Sequence, residues 1–166
     1  MYDLIKLFFD ICLLKKGPQD MPVSNGLLFL LIPIYAGISF LILILSTDVV
    51  NAVLQIFVEV TLVLGSTKII LYLASKASRY QQTVSALIAT DTIISFFAIP
   101  VMATLVGQES ALALIVIVLL MLWHWLVSGA IFSQALERPF AFGLGVAFLY
   151  ILVAYQVMGL VFPEMR

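Results

Sequence analysis

Four ionisable side chains, Glu59, Lys68, Asp91 and His124, lie within stretches that are otherwise almost entirely apolar. A charge held inside a bilayer is costly and is tolerated with a partner or a purpose, so such residues point to a buried ion pair or to proton or cation handling. Glu59 continues a stripe, Asn51–Gln55–Glu59, in which each polar side chain sits one helical turn below the last. That row leads from one surface toward a buried carboxylate and suits either a proton or cation path or a seam of interhelical hydrogen bonds. Lys68 lies eleven residues before Arg79 and Asp91 twelve after it. In an antiparallel hairpin turning at Arg79 the two share one depth. This predicts a Lys68–Asp91 ion pair that offsets part of each burial cost; the competing expectation is a Lys68 that snorkels to the surface on its long stem. His124 stands between Trp123 and Trp125 with Ser128 one turn away. An imidazole titrates near neutral pH and can shuttle protons. Its expected depth matches that of Glu59, which makes a Glu59–His124 couple possible, beside the plainer role of a satisfied hydrogen-bonding residue.

Other chemistries find no support. One histidine and one cysteine, Cys12, provide no multi-ligand metal site, and no HExxH or GxSxG motif occurs. There is no glycine-rich phosphate loop, and Asp91 has no second intramembrane aspartate opposite it. We therefore expect no enzyme, no metal and no cofactor. The net charge of −1 and the absence of a basic tract give no case for nucleic acid.

The elements that must position these residues follow from composition. Hydrophobic residues form 64% of the chain and charged residues 10%, with a mean hydropathy of +1.21; soluble domains have about 45–50% apolar and about 25% charged residues. Five stretches are long enough to span, at 26–46, 49–75, 83–106, 111–136 and 140–162. The connections are short, so backbone polar groups must be satisfied within the spans and the class is an all-α integral membrane protein forming a single domain. Pro33 falls near the entry of the first span, and Pro100 is expected to kink the third or end it early. Lys76–Gln82 reads as the one clearly polar loop, Glu137-Arg138-Pro139 as a turn, and Pro163-Glu164-Met165-Arg166 as a minimal tail.

Ahead of the spans, Tyr2–Lys16 is apolar but too short to cross. Asp3, Lys6 and Asp10 form one stripe, opposite Leu4, Ile5, Leu7, Phe8, Ile11 and Leu14, which predicts an amphipathic helix lying in the membrane interface; a helix packed on the bundle shows the same pattern. The same charges interrupt any cleavable signal peptide, so the mature chain is expected to begin at Met1. Gly17-Pro18-Gln19-Asp20-Met21-Pro22 breaks the helix, and Ser24 and Asn25 can cap the next one. Lys6, Lys15, Lys16, Lys76, Arg79 and Arg138 fall on one side of the five spans and Arg166 on the other, with Asp48 and Glu109 at the outer turns. The positive-inside rule then puts the N-terminus in the cytoplasm and the C-terminus outside, and the expected location is a bacterial cytoplasmic membrane. Small residues four apart, Gly129 with Ser133 and Ala141 with Gly145, mark faces for close helix packing.

Five closely spaced spans, a cytoplasmic N-terminus and the Gly17-Pro18-Gln19-Asp20 element before the first span resemble the Yip1-type membrane proteins. The resemblance implies a five-span helical architecture and no enzymatic activity. Its eukaryotic members act in membrane traffic and bind small GTPases, for which the short N-terminus here offers no soluble segment. The leading expectation is a small polytopic protein that acts by helix–helix contacts as a scaffold, assembly factor or accessory subunit, with the lipid bilayer and other membrane proteins or further copies of itself as partners. The alternatives are a proton- or cation-linked transporter or channel using Glu59, Asp91 and His124, and a lipid-interacting protein that organises the membrane through Tyr2–Lys16.

Overall fold

The computed structural model describes residues 2–108 and 110–163. Glu109, counted above at an outer turn, and the tail residues Glu164, Met165 and Arg166 lie outside the described residues, as does Met1. Among the described residues there are six α-helices and no strands: α1 (Tyr2–Cys12), α2 (Asn25–Leu43), α3 (Val49–Leu73), α4 (Tyr80–Gly107), α5 (Ala111–Leu136) and α6 (Phe140–Val161). Short 3₁₀ turns at Pro18–Asp20 and Ala77–Arg79 precede α2 and α4. The last five α-helices are long and apolar enough to cross a membrane.

Local chemistry sets the starts of these helices. Ser24 and Ser110 accept hydrogen bonds from the Leu27 and Ala113 amides, and Asp48 accepts from the amides of both Val50 and Asn51 at 3.1 Å, each satisfying donors that the first turn leaves open. The ends of α1, α3 and α5 share another device. Lys15, Lys76 and Arg138 donate backbone N–H groups to the carbonyls of Asp10, Leu71 and Ser133, five residues back. The residue before each donor, Leu14 (φ 61°), Ser75 (φ 57°) and Glu137 (φ 54°), takes the left-handed conformation that this closure requires.

Two boundaries differ by three residues from those expected. α4 begins at Tyr80, so the polar Lys76–Gln82 stretch is a turn running directly into a helix, and Pro100 sits inside α4 without ending it. α2 stops at Leu43, three residues early, where the Thr47 amide and hydroxyl both return to the Leu43 carbonyl at 2.9 and 3.0 Å.

α4 is the central element and packs against α1, α2, α3 and α5, while α6 lies chiefly on α5 and touches α3 more loosely. The helices are not buried evenly along their length. Every residue from Thr83 to Thr90 in α4 and from Val127 to Ser133 in α5 is buried. The opposite ends of the same helices expose Phe96, Phe97, Leu112 and Leu119. The tight half adjoins the end of the bundle where Lys76, Arg79 and Arg138 gather, called the basic end below. There Lys76 and Arg79 both bond the Glu137 carboxylate, and Arg79 also donates to the carbonyls of Gln134 and Ala135 at 3.0 and 3.3 Å. That fork ties the α3–α4 turn to the end of α5.

α1 covers Tyr2–Cys12, four residues short of the expected Tyr2–Lys16, and it packs on the bundle. Leu7, Ile11 and Cys12 are buried while Asp3 and Lys6 face outward. The Cys12 carbonyl accepts from the Trp123 indole at 2.9 Å, and its thiol faces the Thr90 carbonyl at 4.0 Å. Thr90 is ten residues into α4, so the end of α1 is seated about 15 Å along that helix rather than across the basic end.

The small-residue faces need one correction. Gly129 and Ser133 of α5 do meet α6, but at Gly143. A Cβ on Gly143 would overlap the Gly129 carbonyl oxygen and stand 2.6 Å from the Ser133 amide nitrogen. Ala141 and Gly145 point outward, and nothing lies within 4 Å of where a Gly145 Cβ would be. The inner face of α6 therefore runs through Gly143 and Ala147, two residues out of register with the expected pair.

Candidate functional site

Each of the five long helices contributes one polar side chain to a cluster midway along the bundle. Tyr35 is ten residues into α2, Glu59 ten into α3, Asp91 eleven into α4 and Tyr150 ten into α6, and His124 is twelve residues from the end of α5. With a rise of 1.5 Å per residue these positions lie about 15–18 Å from a helix terminus. Matching depth alone does not make a cluster; the faces must also agree, and here they do. On α3 the buried seam runs Ala52, Gln55 with Ile56 beside it, Val63, Thr67 and Leu71; Glu59 fills its gap, four residues from both Gln55 and Val63, so the steps along the seam are of three and four residues.

The central contact is between Asp91 Oδ1 and His124 Nε2 at 3.3 Å. The same imidazole nitrogen stands 3.4 Å from the Ser128 hydroxyl, one turn along α5. Neither partner is sealed: His124 keeps 28% and Asp91 25% of the side chain accessible. Across the cluster the Tyr35 hydroxyl donates to Glu59 Oε2 over a long 3.5 Å. Glu59 and Asp91 are within electrostatic reach of each other, and both act on Tyr35 and Tyr150.

The two tryptophans beside His124 explain its aim. Consecutive helical residues point about 100° apart, so Trp123, His124 and Trp125 face three different neighbours. Trp123 donates to Cys12 in α1, and Trp125 donates to the Leu144 carbonyl of α6 at 3.0 Å. With both indoles pinned to flanking helices, the imidazole between them is turned toward α4. Each indole N–H has a backbone partner, and the Trp123 ring also stands 6.4 Å from that of Phe97.

Two expected partnerships are replaced. Asp91 pairs with His124 and not with Lys68, because Lys68 is one residue past Thr67 on the buried seam and so faces outward. It lies by Tyr72 and Tyr80 with no carboxylate within 4.0 Å among the described residues, the arrangement of a snorkelling lysine. Glu59 has Tyr35 as its hydrogen-bonding partner rather than His124, although both acids share one cluster with the imidazole. The equal depth of Asp91 and His124 on neighbouring antiparallel helices was a readable signal for their contact. Tyr35 and Tyr150 carried no such signal, since a tyrosine in an apolar helix is ordinarily a packing residue.

The expected stripe Asn51–Gln55–Glu59 has three different fates. Asn51 donates its side-chain amide to Asp48 at 2.6 Å at the end of α3 remote from the basic end. Gln55 is 1% exposed and its Oε1 has no hydrogen-bond partner among the described residues. Asn51 and Gln55 both line a cavity of about 680 Å³ at that end, with Thr47, Asp48 and Phe162 across from them. Glu59 lies one turn beneath Gln55. An orphaned buried amide oxygen costs roughly 1–3 kcal/mol and in this position suits water entering from the cavity. Asp48, at the rim, has its carboxyl held below the ordinary range by the Asn51 backbone amide and then the Asn51 side chain. Among the described residues no group of three metal-ligating side chains gathers. No protein-family model matches the chain, and no curated protein or solved structure is similar to it.

Proposed function

We propose that this is an integral membrane protein that moves protons, or a small cation in exchange for protons, through the centre formed by Glu59, Asp91 and His124. One observation carries the reading: five membrane-length helices each direct a polar side chain to a common depth, where a carboxylate meets an imidazole at 3.3 Å. Packing alone does not require this, because a charged group at such depth costs about 3 kcal/mol or more, which an apolar packing residue would not. Two acids and one imidazole cannot balance as three ionised groups. One negative charge is left over, and a proton or a cation neutralises it. His124 and Asp91 can exchange a proton directly, Tyr35 can relay to Glu59, and the cavity ending at Gln55 supplies water from the far end. The basic residues gathered at one end support an orientation with that end in the cytoplasm of a bacterial cell and the C-terminus outside. The resemblance to Yip1-type proteins enters only as a five-span architecture.

Proton flux into proteoliposomes under an imposed potential, followed with an internal pH dye, tests the reading. Glu59→Gln, Asp91→Asn and His124→Ala are each expected to lower flux at least tenfold, with Lys68→Met unchanged. Flux that survives all three substitutions, or wild-type protein that passes none, would remove transport from the account.

A second reading keeps support from the outward face of α6. Ala141 and Gly145, four apart with none of the described residues against Gly145, form a surface on which another membrane helix can pack closely, as a scaffold or accessory subunit needs. Gly145→Leu is expected to release a partner or a second copy in a native pull-down, while leaving the chain folded. An unchanged complex removes this face from the interaction.

A further inference from the structure

We infer that the groove between α3 and α6 is a binding site for one anionic phospholipid, with its headgroup at the basic end and an acyl chain along the groove. The loose contact between these two helices leaves an open cavity of about 760 Å³. Its walls are apolar along most of their length, with Leu62 and Ile69 on α3 and Val146, Leu149 and Val153 on α6. Lys76, Glu137 and Arg138 stand at its mouth. Lys76 and Arg79 share the single carboxylate of Glu137, and Arg138 is exposed with no ion-pair partner among the described residues. Three cations against one carboxylate leave an excess of positive charge where a phosphate would sit. Basic pockets between helices at a membrane face recognise anionic headgroups in this way.

The dimensions agree with that occupant. From Leu62 to Leu73 the α3 wall rises eleven residues, about 16 Å, and Lys76 follows in the closing turn. The hydrocarbon half of one leaflet measures about 15 Å, with the headgroup region beyond it. The groove thus matches the length of a single lipid, basic at one end and apolar beyond. At its inner part it reaches Tyr150, the α6 member of the central cluster. The site stands apart from the transport reading, since what it predicts is a retained lipid and not a flux.

Native mass spectrometry of the full chain, released from vesicles of equal phosphatidylglycerol and phosphatidylcholine with identical acyl chains, provides the test. A one-to-one phosphatidylglycerol adduct is expected, and Arg138→Gln should weaken it about fivefold, the factor that about 1 kcal/mol of attraction per basic residue gives. Leu149→Trp or Ile69→Trp, which fill the groove from exposed positions, should remove the adduct while the chain still elutes as a folded species. Lys15→Gln/Lys16→Gln should leave it unchanged. Equal retention of the two lipids, an adduct indifferent to Arg138→Gln, or one weakened as much by the Lys15/Lys16 change would overturn the site. So would a dimer that Leu149→Trp dissociates, because a second copy would then fill the groove.

Discussion

The partnership of Asp91 and His124 depends on angles as small as one residue of helix. Lys68 matches Asp91 in depth, yet one step of about 100° from Thr67 turns it away from the bundle. Residues in direct contact show coupling of roughly 0.5–3 kcal/mol in double-mutant cycles. The expected outcome for Asp91→Asn with His124→Gln, measured by thermal unfolding in detergent, is coupling within that range. Asp91→Asn with Lys68→Met should instead be additive to within about 0.5 kcal/mol, and a strong rescue there would restore the lysine partnership. Glu137 gives a prediction in pH. Its carboxyl is held below the ordinary carboxylate range by the hydrogen bond from Lys76, then by the charges of Arg79 and Lys76. A folded-state value below the unfolded one stabilises the fold above the unfolded pKa of about 4.5. The contribution fades as pH falls through the lower, folded-state value. Melting temperature should therefore drop on acidification below about pH 4.5, and Glu137→Gln should remove part of that acid dependence; an identical acid slope in the variant would exclude Glu137 as a source. Glu137 is exposed, so salt should also weaken the effect.

Whole elements were more legible than their faces. The five spans come within about three residues of the helices at nearly every boundary, because hydropathy, prolines and capping oxygens are local signals. α4 starts three residues earlier than expected, since the polar residues after Lys76 include Arg79, which reaches the carbonyls ending α5 and lets the helix start beside it. Helix rotation is set by neighbours that are distant in sequence, and no local pattern reports it. Ala141 and Gly145 have the right spacing for close packing, as do Gly143 and Ala147; only the presence of α5 selects the second pair. The same limitation hid Tyr35 and Tyr150, whose roles come from the acids they face. Gly143→Ala should destabilise the protein by about 1–3 kcal/mol, the usual cost of overpacking, because the new methyl meets the backbone of α5 and not a mobile side chain. Gly145→Ala should be close to neutral in the same melting assay. Equal effects at the two positions would mean that α6 packs with its other face.

Over the whole molecule, burial is concentrated toward one end. Continuous buried runs in α4 and α5 adjoin the basic end, where Arg79, Glu137 and Lys76 join the turns, and the far ends of the same helices are open. Opening free energies should follow that gradient. Hydrogen exchange in detergent is expected to protect amides of Thr83–Thr90 more than those of Ala98–Gly107 by at least tenfold; uniform protection along α4 would contradict a tight half and a loose half. A reporter fused to the C-terminus should register outside the cell and one inserted at Ser78 inside, if the basic end faces the cytoplasm. The opposite signals would invert the orientation and put the cavity at Gln55 on the inner side.

One side chain from each of five helices also imposes an order in time. The ribosome delivers Tyr35 and Glu59 first, Asp91 and His124 later, and Tyr150 last. Asp91 must therefore wait through the synthesis of more than thirty residues before its imidazole partner exists. Until α6 arrives, the Gly129–Ser133 face of α5 has nothing against it. The finished centre is thus a record of complete insertion: a chain that stops one helix short has both acids, the histidine and Tyr35, but neither Tyr150 nor the wall that α6 supplies.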